Sequence, residues 1–138
     1  MPVETEKVCV NLPAAELGKI DVLVAEGLYA SRTDLIRSGI RSVLEANTEP
    51  VDRVVVSGGA RVGYQLLSRG ELEEWRAEGQ QVDLFVVGVL RIQNNVPADL
   101  AEATIARIRI FGSLRGPADV LNRIEGRVIR GLDELLGE

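Results

Sequence analysis

Lys7, Cys9 and Asn11 alternate with Val8, Val10 and Leu12 near the start of a 138-residue chain. An extended backbone throws successive side chains to opposite faces. This spacing therefore predicts a half-buried strand over residues 7–12, with an amine, a thiol and a carboxamide on one side and three aliphatics on the other. The chemistry such a polar row offers is recognition: lysine donates hydrogen bonds, and asparagine both donates and accepts. Bond-making chemistry has little to draw on. The chain holds no histidine and one cysteine, which removes the commonest general base and excludes both a Cys/His zinc site and an intramolecular disulfide. Nothing pairs a nucleophile with a base, so neither an enzyme nor a cofactor or metal is expected. Two bland readings stand beside the functional one. Asn11, ahead of Leu12-Pro13, also suits a helix-entry turn, and Cys9 reads more readily as a small half-buried residue than as an oxidant sensor.

The elements that position this row come next. Pro13 suits a first helical turn, and Leu17, Ile20, Leu23 and Val24 recur at helical spacing, giving a helix over roughly 13–27. Ser31 and Asp34 have the spacing of a capping box and open a second helix with the apolar stripe Leu35, Ile36, Ile40, Val43 and Leu44. Arg37 and Arg41 fall on its solvated side. Gly39 costs this helix about 1 kcal/mol against alanine, and a close helix crossing would explain it. No second strand follows the first for about forty residues, and a lone strand has unpaired backbone groups. A second copy of the chain supplies the partner: two strands pair antiparallel, the aliphatic faces cover a core built from four helices, and Lys7, Cys9 and Asn11 of each copy face outward on a ribbon that fits the DNA major groove.

With its Pro-led helix, the stretch "GLYASRTDLIRSGIRSVL" and the polar exit, the segment from residue 5 to 47 resembles the ribbon-helix-helix superfamily, specifically CopG-family regulators. The resemblance implies an obligate homodimer on double-stranded DNA. It places Lys7, Cys9 and Asn11 on the base-reading face, where lysine suits guanine O6 and N7 and asparagine suits adenine N6 and N7. Ser31, Arg32 and Thr33 fall on a phosphate-facing helix start, where free N–H groups and the positive dipole end attract an anion and fix register without reading sequence. Residues 1–47 carry five Lys and Arg against seven Asp and Glu, so affinity should rest on few phosphate contacts and show a shallow salt slope.

Asn47-Thr48-Glu49-Pro50 lacks apolar periodicity, which places a linker at 48–52 and a domain boundary between residues 1–47 and 53–138. Beyond it, apolar runs each meet a glycine: "VVVSGG" ending at Gly59, "LFVVG" at Gly88, "IRIFG" at Gly112 and "RVIRG" at Gly131. Measured from Gly58, these glycines are spaced by 30, 24 and 19 residues, near the range of strand-turn-helix repeats. Pro97-Ala98-Asp99 and Pro117-Ala118-Asp119 recur as helix starts that the aspartates can cap. Leu66–Gln80 reads as a polar-faced helical insert that Trp75 anchors to the sheet or offers to a partner. Leu84–Leu90, apolar at every position but its glycine, suits a sheet covered on both sides. "SGGARVG" lacks a phosphate-loop lysine and reads as a turn.

The expected fold is thus α+β: an N-terminal ribbon-helix-helix (β-α-α, dimeric) domain followed by a small α/β domain of strand-turn-helix repeats. That second domain is expected to join dimers into tetramers or longer arrays, or to bind a protein partner or ligand. A sequence-specific regulator, most simply a repressor, is the leading function. An antitoxin or a DNA-organising or partition protein is the alternative, the patterned second half speaking against a toxin-wrapping tail. A net charge of −5 confines any nucleic-acid contact to a local patch. The absence of a long apolar segment or signal peptide gives a cytoplasmic expectation with no membrane partner.

Overall fold

The computed structural model describes residues 5–131, and their contacts divide between two compact units that part between Asp52 and Arg53. In the first unit, residues 5–13 form neither helix nor strand. A strand is defined by its ladder, and within one copy of the chain this segment has none. Helix α1 spans Ala14–Ala25 and α2 spans Arg32–Ala46, with Pro13 and Ser31 at their N-caps. Their apolar sides are left largely open by the described residues of this unit. No described residue of this unit is buried, and Leu17, Ile20, Val24 and Leu35 are only half-covered.

Helix α3, Thr48–Gly58, corrects two expectations at once. The anticipated linker 48–52 is its first turn, and Val54–Gly58 is helical rather than a strand. Pro50 sits among the first N–H groups, which have no intrahelical acceptor, so it costs the helix little. Val51, Val54 and Val55 already carry helical spacing. Gly59, at φ 66°, ends the helix: the Ala60 N–H donates to the Val55 carbonyl at 3.0 Å, a closure that needs a left-handed residue.

The second unit repeats strand and helix: β1 Arg61–Leu67, α4 Arg69–Ala77, β2 Val82–Ile92, α5 Ala98–Thr104, β3 Ile105–Arg115, α6 Ala118–Ile124 and, after a short 3-10 turn, β4 Val128–Arg130. All four strands are parallel and lie side by side in chain order. Arg61 pairs with Val86, Val86 with Ile110 and Ile110 with Arg130, so the strands recur every 25, 24 and 20 residues. The first strand thus lies later than "VVVSGG", and its marker is Gly63, not Gly58.

Gly63, Gly88 and Gly112 stand in register across three strands at φ 102°, 140° and 125°. A Cβ on Gly88 would overlap the Gly63 carbonyl, and one on Gly112 the Gly88 carbonyl. The ladder of glycines is therefore a steric requirement of the stacking as well as of the left-handed backbone.

Helices α4, α5 and α6 cover one face. Leu67, Val86, Leu90, Ile92, Ile108 and Ile110 from the sheet meet Leu72, Leu100, Val120 and Ile124 from α4, α5 and α6, with Trp75 packed at the margin. Trp75 is an anchor, as its isolated place on a polar helix suggested. The opposite face carries Phe85, Val87, Val89 and Phe111, half-buried, and Val62, Tyr64 and Leu66, exposed; the end of α3 reaches it, with Gly58 against the Phe85 ring. Asp99 and Asp119 do not cap their helices. Pro97 and Pro117 hold the N-cap positions without a side-chain hydrogen bond, and the aspartates sit two positions further in, where they favour the helix dipole, Asp99 also lying 4.0 Å from the Arg76 guanidinium.

Candidate nucleic-acid interface

Lys7, Cys9 and Asn11 all lie exposed in the segment ahead of α1. The aliphatic row between them is no better covered: Val8 is 80% and Val10 72% exposed. Burying a valine side chain is worth about 1.5–3 kcal/mol. An alternating apolar row left in water is thus half of a contact.

The other half lies on the helices. Leu12, Glu16, Leu35, Ile36, Gly39, Ile40, Val43 and Leu44 line an open groove of about 710 Å³. Gly39 sits in its wall, and a Cβ there would meet nothing. No helix of this unit crosses at that point, so the close approach expected of Gly39 has no partner within one chain. Ile40 at 54% and Val43 at 62% exposure form, with the rest of the stripe, a contiguous apolar patch of the kind that marks an interaction surface.

Ser31 accepts a hydrogen bond from the Asp34 N–H at 3.0 Å, and Asp34 Oδ2 accepts from the Ala30 N–H at 2.9 Å. The capping box is present in variant form, since Asp34 reaches the residue before the cap rather than the cap itself. Arg32 does not point freely into solvent. Its Nε and Nη2 donate to Asp21 Oδ1 and Oδ2 at 2.7 and 2.8 Å, a two-pronged ion pair between α1 and α2. The Arg32 hydrogen bond holds the Asp21 carboxyl below its ordinary value, and Asp21 in turn raises the guanidinium. Sequence reasoning missed Asp21. Nothing local marks a partner eleven positions earlier on another helix. Thr33 is exposed.

The six side chains, Lys7, Cys9, Asn11, Ser31, Arg32 and Thr33, offer two cations, a thiol, a carboxamide and two hydroxyls to the outside, groups that bind by charge and hydrogen bonding. Among the described residues no cluster of His, Cys, Asp or Glu could hold a metal ion, and no helix is long and apolar enough to cross a membrane.

A model of the ribbon-helix-helix transcriptional regulator family matches residues 3–121 of the chain. The match reaches well past residue 47, through β3 and into α6, so most of the second unit belongs to the matched pattern. Neither the curated proteins nor the solved structures contain a match.

Proposed function

The chain belongs to the ribbon-helix-helix transcriptional regulator family, whose members bind DNA and typically dimerise, and from that premise we propose that it is a CopG-type repressor acting as a homodimer. The observation that carries the reading is the bare apolar stripe of α2 together with the equally bare Val8 and Val10 row. A second copy covers both. The two segments pair antiparallel, their aliphatic rows close over four helices, and Gly39 becomes the point where helices cross closely. The outward row, Lys7, Cys9 and Asn11, then enters the major groove and reads base edges. Ser31, Arg32 and Thr33 hold the phosphate backbone and set register. On this reading Arg32 exchanges Asp21 for a phosphate, or contacts one beside it.

The test is a titration against the DNA upstream of the gene and a scrambled control at two salt concentrations, with a Lys7→Ala/Asn11→Ala variant in parallel. Preference for upstream DNA, lost in a variant that remains dimeric, is the expected outcome. Equal binding of the wild type to both DNAs would overturn sequence-specific reading of that region by the ribbon.

A further inference from the structure

Where the end of α3 meets the sheet there is a cavity of about 220 Å³, lined by Gly58 and Gly59 of the α3 terminus, Asp83 and Phe85 of β2, and Arg107 and Arg109 of β3. Two glycines make the space. A Cβ on Gly58 would overlap the Phe85 ring, so its absence lets the end of α3 rest on the sheet, while a Cβ on Gly59 would meet nothing.

The charges around the cavity are of both signs, and they do not neutralise each other. Asp83 and Arg107 are direct partners in the β2–β3 register, where opposite charges attract. Among the described residues, however, neither is ion-paired, and both are exposed. The ladder slips just here: Val82 pairs with Ile105 and Asp83 with Arg107, which leaves Ala106 over as a bulge residue. A bulge re-aims the side chains that flank it. Arg109 is half-buried, its guanidinium 4.7 Å from the centre of the Phe85 ring and 5.9 Å from that of Phe111, so it adds a positive charge held in place by the rings. The carboxyl end of α3 adds partial negative charge on the side of Gly58 and Gly59.

A simple anion entering the cavity would meet Asp83, and a simple cation would meet the arginines. A molecule that suits both carries an ammonium and a carboxylate a few bonds apart, with an apolar part for the half-buried Phe85 ring. We propose that the cavity binds a short zwitterion of the aliphatic α-amino acid class, with its carboxylate on Arg107, its ammonium between Asp83 and the end of α3, and its side chain against Phe85. The inference concerns the second unit alone and does not rest on the reading of the first as a DNA-binding dimer.

The test uses the intact chain in solution and three probes: L-valine, valinamide, which lacks the carboxylate, and isovalerate, which lacks the amine. Amide proton–nitrogen correlation spectra follow each titration. L-valine should shift the Gly58 and Gly59 amides saturably and leave those of Leu72 and Ile124 in place, with valinamide and isovalerate each binding at least about tenfold more weakly. Arg107→Gln and Asp83→Asn should each weaken L-valine by a similar factor while melting as the wild type does. No saturable shift of Gly58 and Gly59 with L-valine, L-leucine or L-alanine overturns the proposal. Equal binding by isovalerate or by valinamide also overturns it, since the site would then take a simple anion or cation. Shifts that survive in both variants overturn it as well, because they place the ligand away from these side chains.

Discussion

The N-terminal residues separate two jobs that a helix start often merges. Ser31 holds the first turn of α2 through the Asp34 N–H, so Ser31→Ala should lower the unfolding free energy by about 1 kcal/mol with or without DNA, read by thermal or chemical melts. Thr33 is exposed and holds nothing within the chain that would make its loss felt in stability. Thr33→Ala should therefore weaken DNA binding on every sequence alike while melting unchanged, and an unchanged affinity would remove it from the proposed contacts. Arg32 and Asp21 give a prediction with a sign. Asp21→Asn deletes the competitor for the guanidinium, so DNA affinity should rise and the salt slope steepen by about one phosphate contact. The same pair links stability to pH. The Asp21 carboxyl is depressed in the folded chain from an ordinary value of 3.8, so its contribution is present at neutral pH and lost as acid takes the solution down through the folded value. Wild type and Asp21→Asn should differ slightly at pH 7 and converge in acid, the difference being small because both side chains are about half exposed.

At the scale of elements, the glycine ladder decides what the sheet tolerates. Gly88→Ala must place a methyl group on the Gly63 carbonyl from a backbone at φ 140°, and strain plus overlap should cost about 3 kcal/mol or more in the second unit. Gly39→Leu, by contrast, has open space within one chain. It should leave the helix intact and weaken the proposed dimer, which sedimentation across a dilution series measures. The contrast between these glycines also shows where the sequence was readable. The periodic stripes gave α1 and α2 nearly to the residue, because one face of each is apolar and both ends carry strong signals. They failed at α3, where three consecutive valines imitate a strand and a proline imitates a boundary. The helical spacing from Val51 to Val55 was visible, but β-branched residues carry it and the proline lies inside it. The repeat was legible as glycines meeting apolar runs. Its first register was not, since Gly63 lies in "RVGYQLL" with a polar residue among its neighbours, and only strand pairing aligns it with Gly88 and Gly112. Of the site, the polar row and the cap were on the surface of the sequence. The Arg32–Asp21 pair joins positions on two helices that only folding brings together.

For the whole molecule, one unit has a closed core, and among the described residues of the other none is buried. Every buried apolar residue named above falls between Leu67 and Ile124, whereas the first unit leaves Ile36, Ile40, Val43 and Leu44 in water. Diluting the protein should therefore unfold the first unit before the second, as a concentration-dependent helical transition that leaves the Trp75 environment unchanged; a single transition independent of concentration would argue against a second copy as the cover. The sheet of the second unit has a further consequence of its own. Each strand pairs only with the strand before and after it in the chain, 20 to 25 residues away, and no later segment has to thread between earlier ones. Such a sheet can be assembled in the order in which a ribosome delivers it: β2 settles against β1, β3 against β2, each bringing the helix that roofs the pair. Half-finished chains then expose a growing edge rather than a disordered whole.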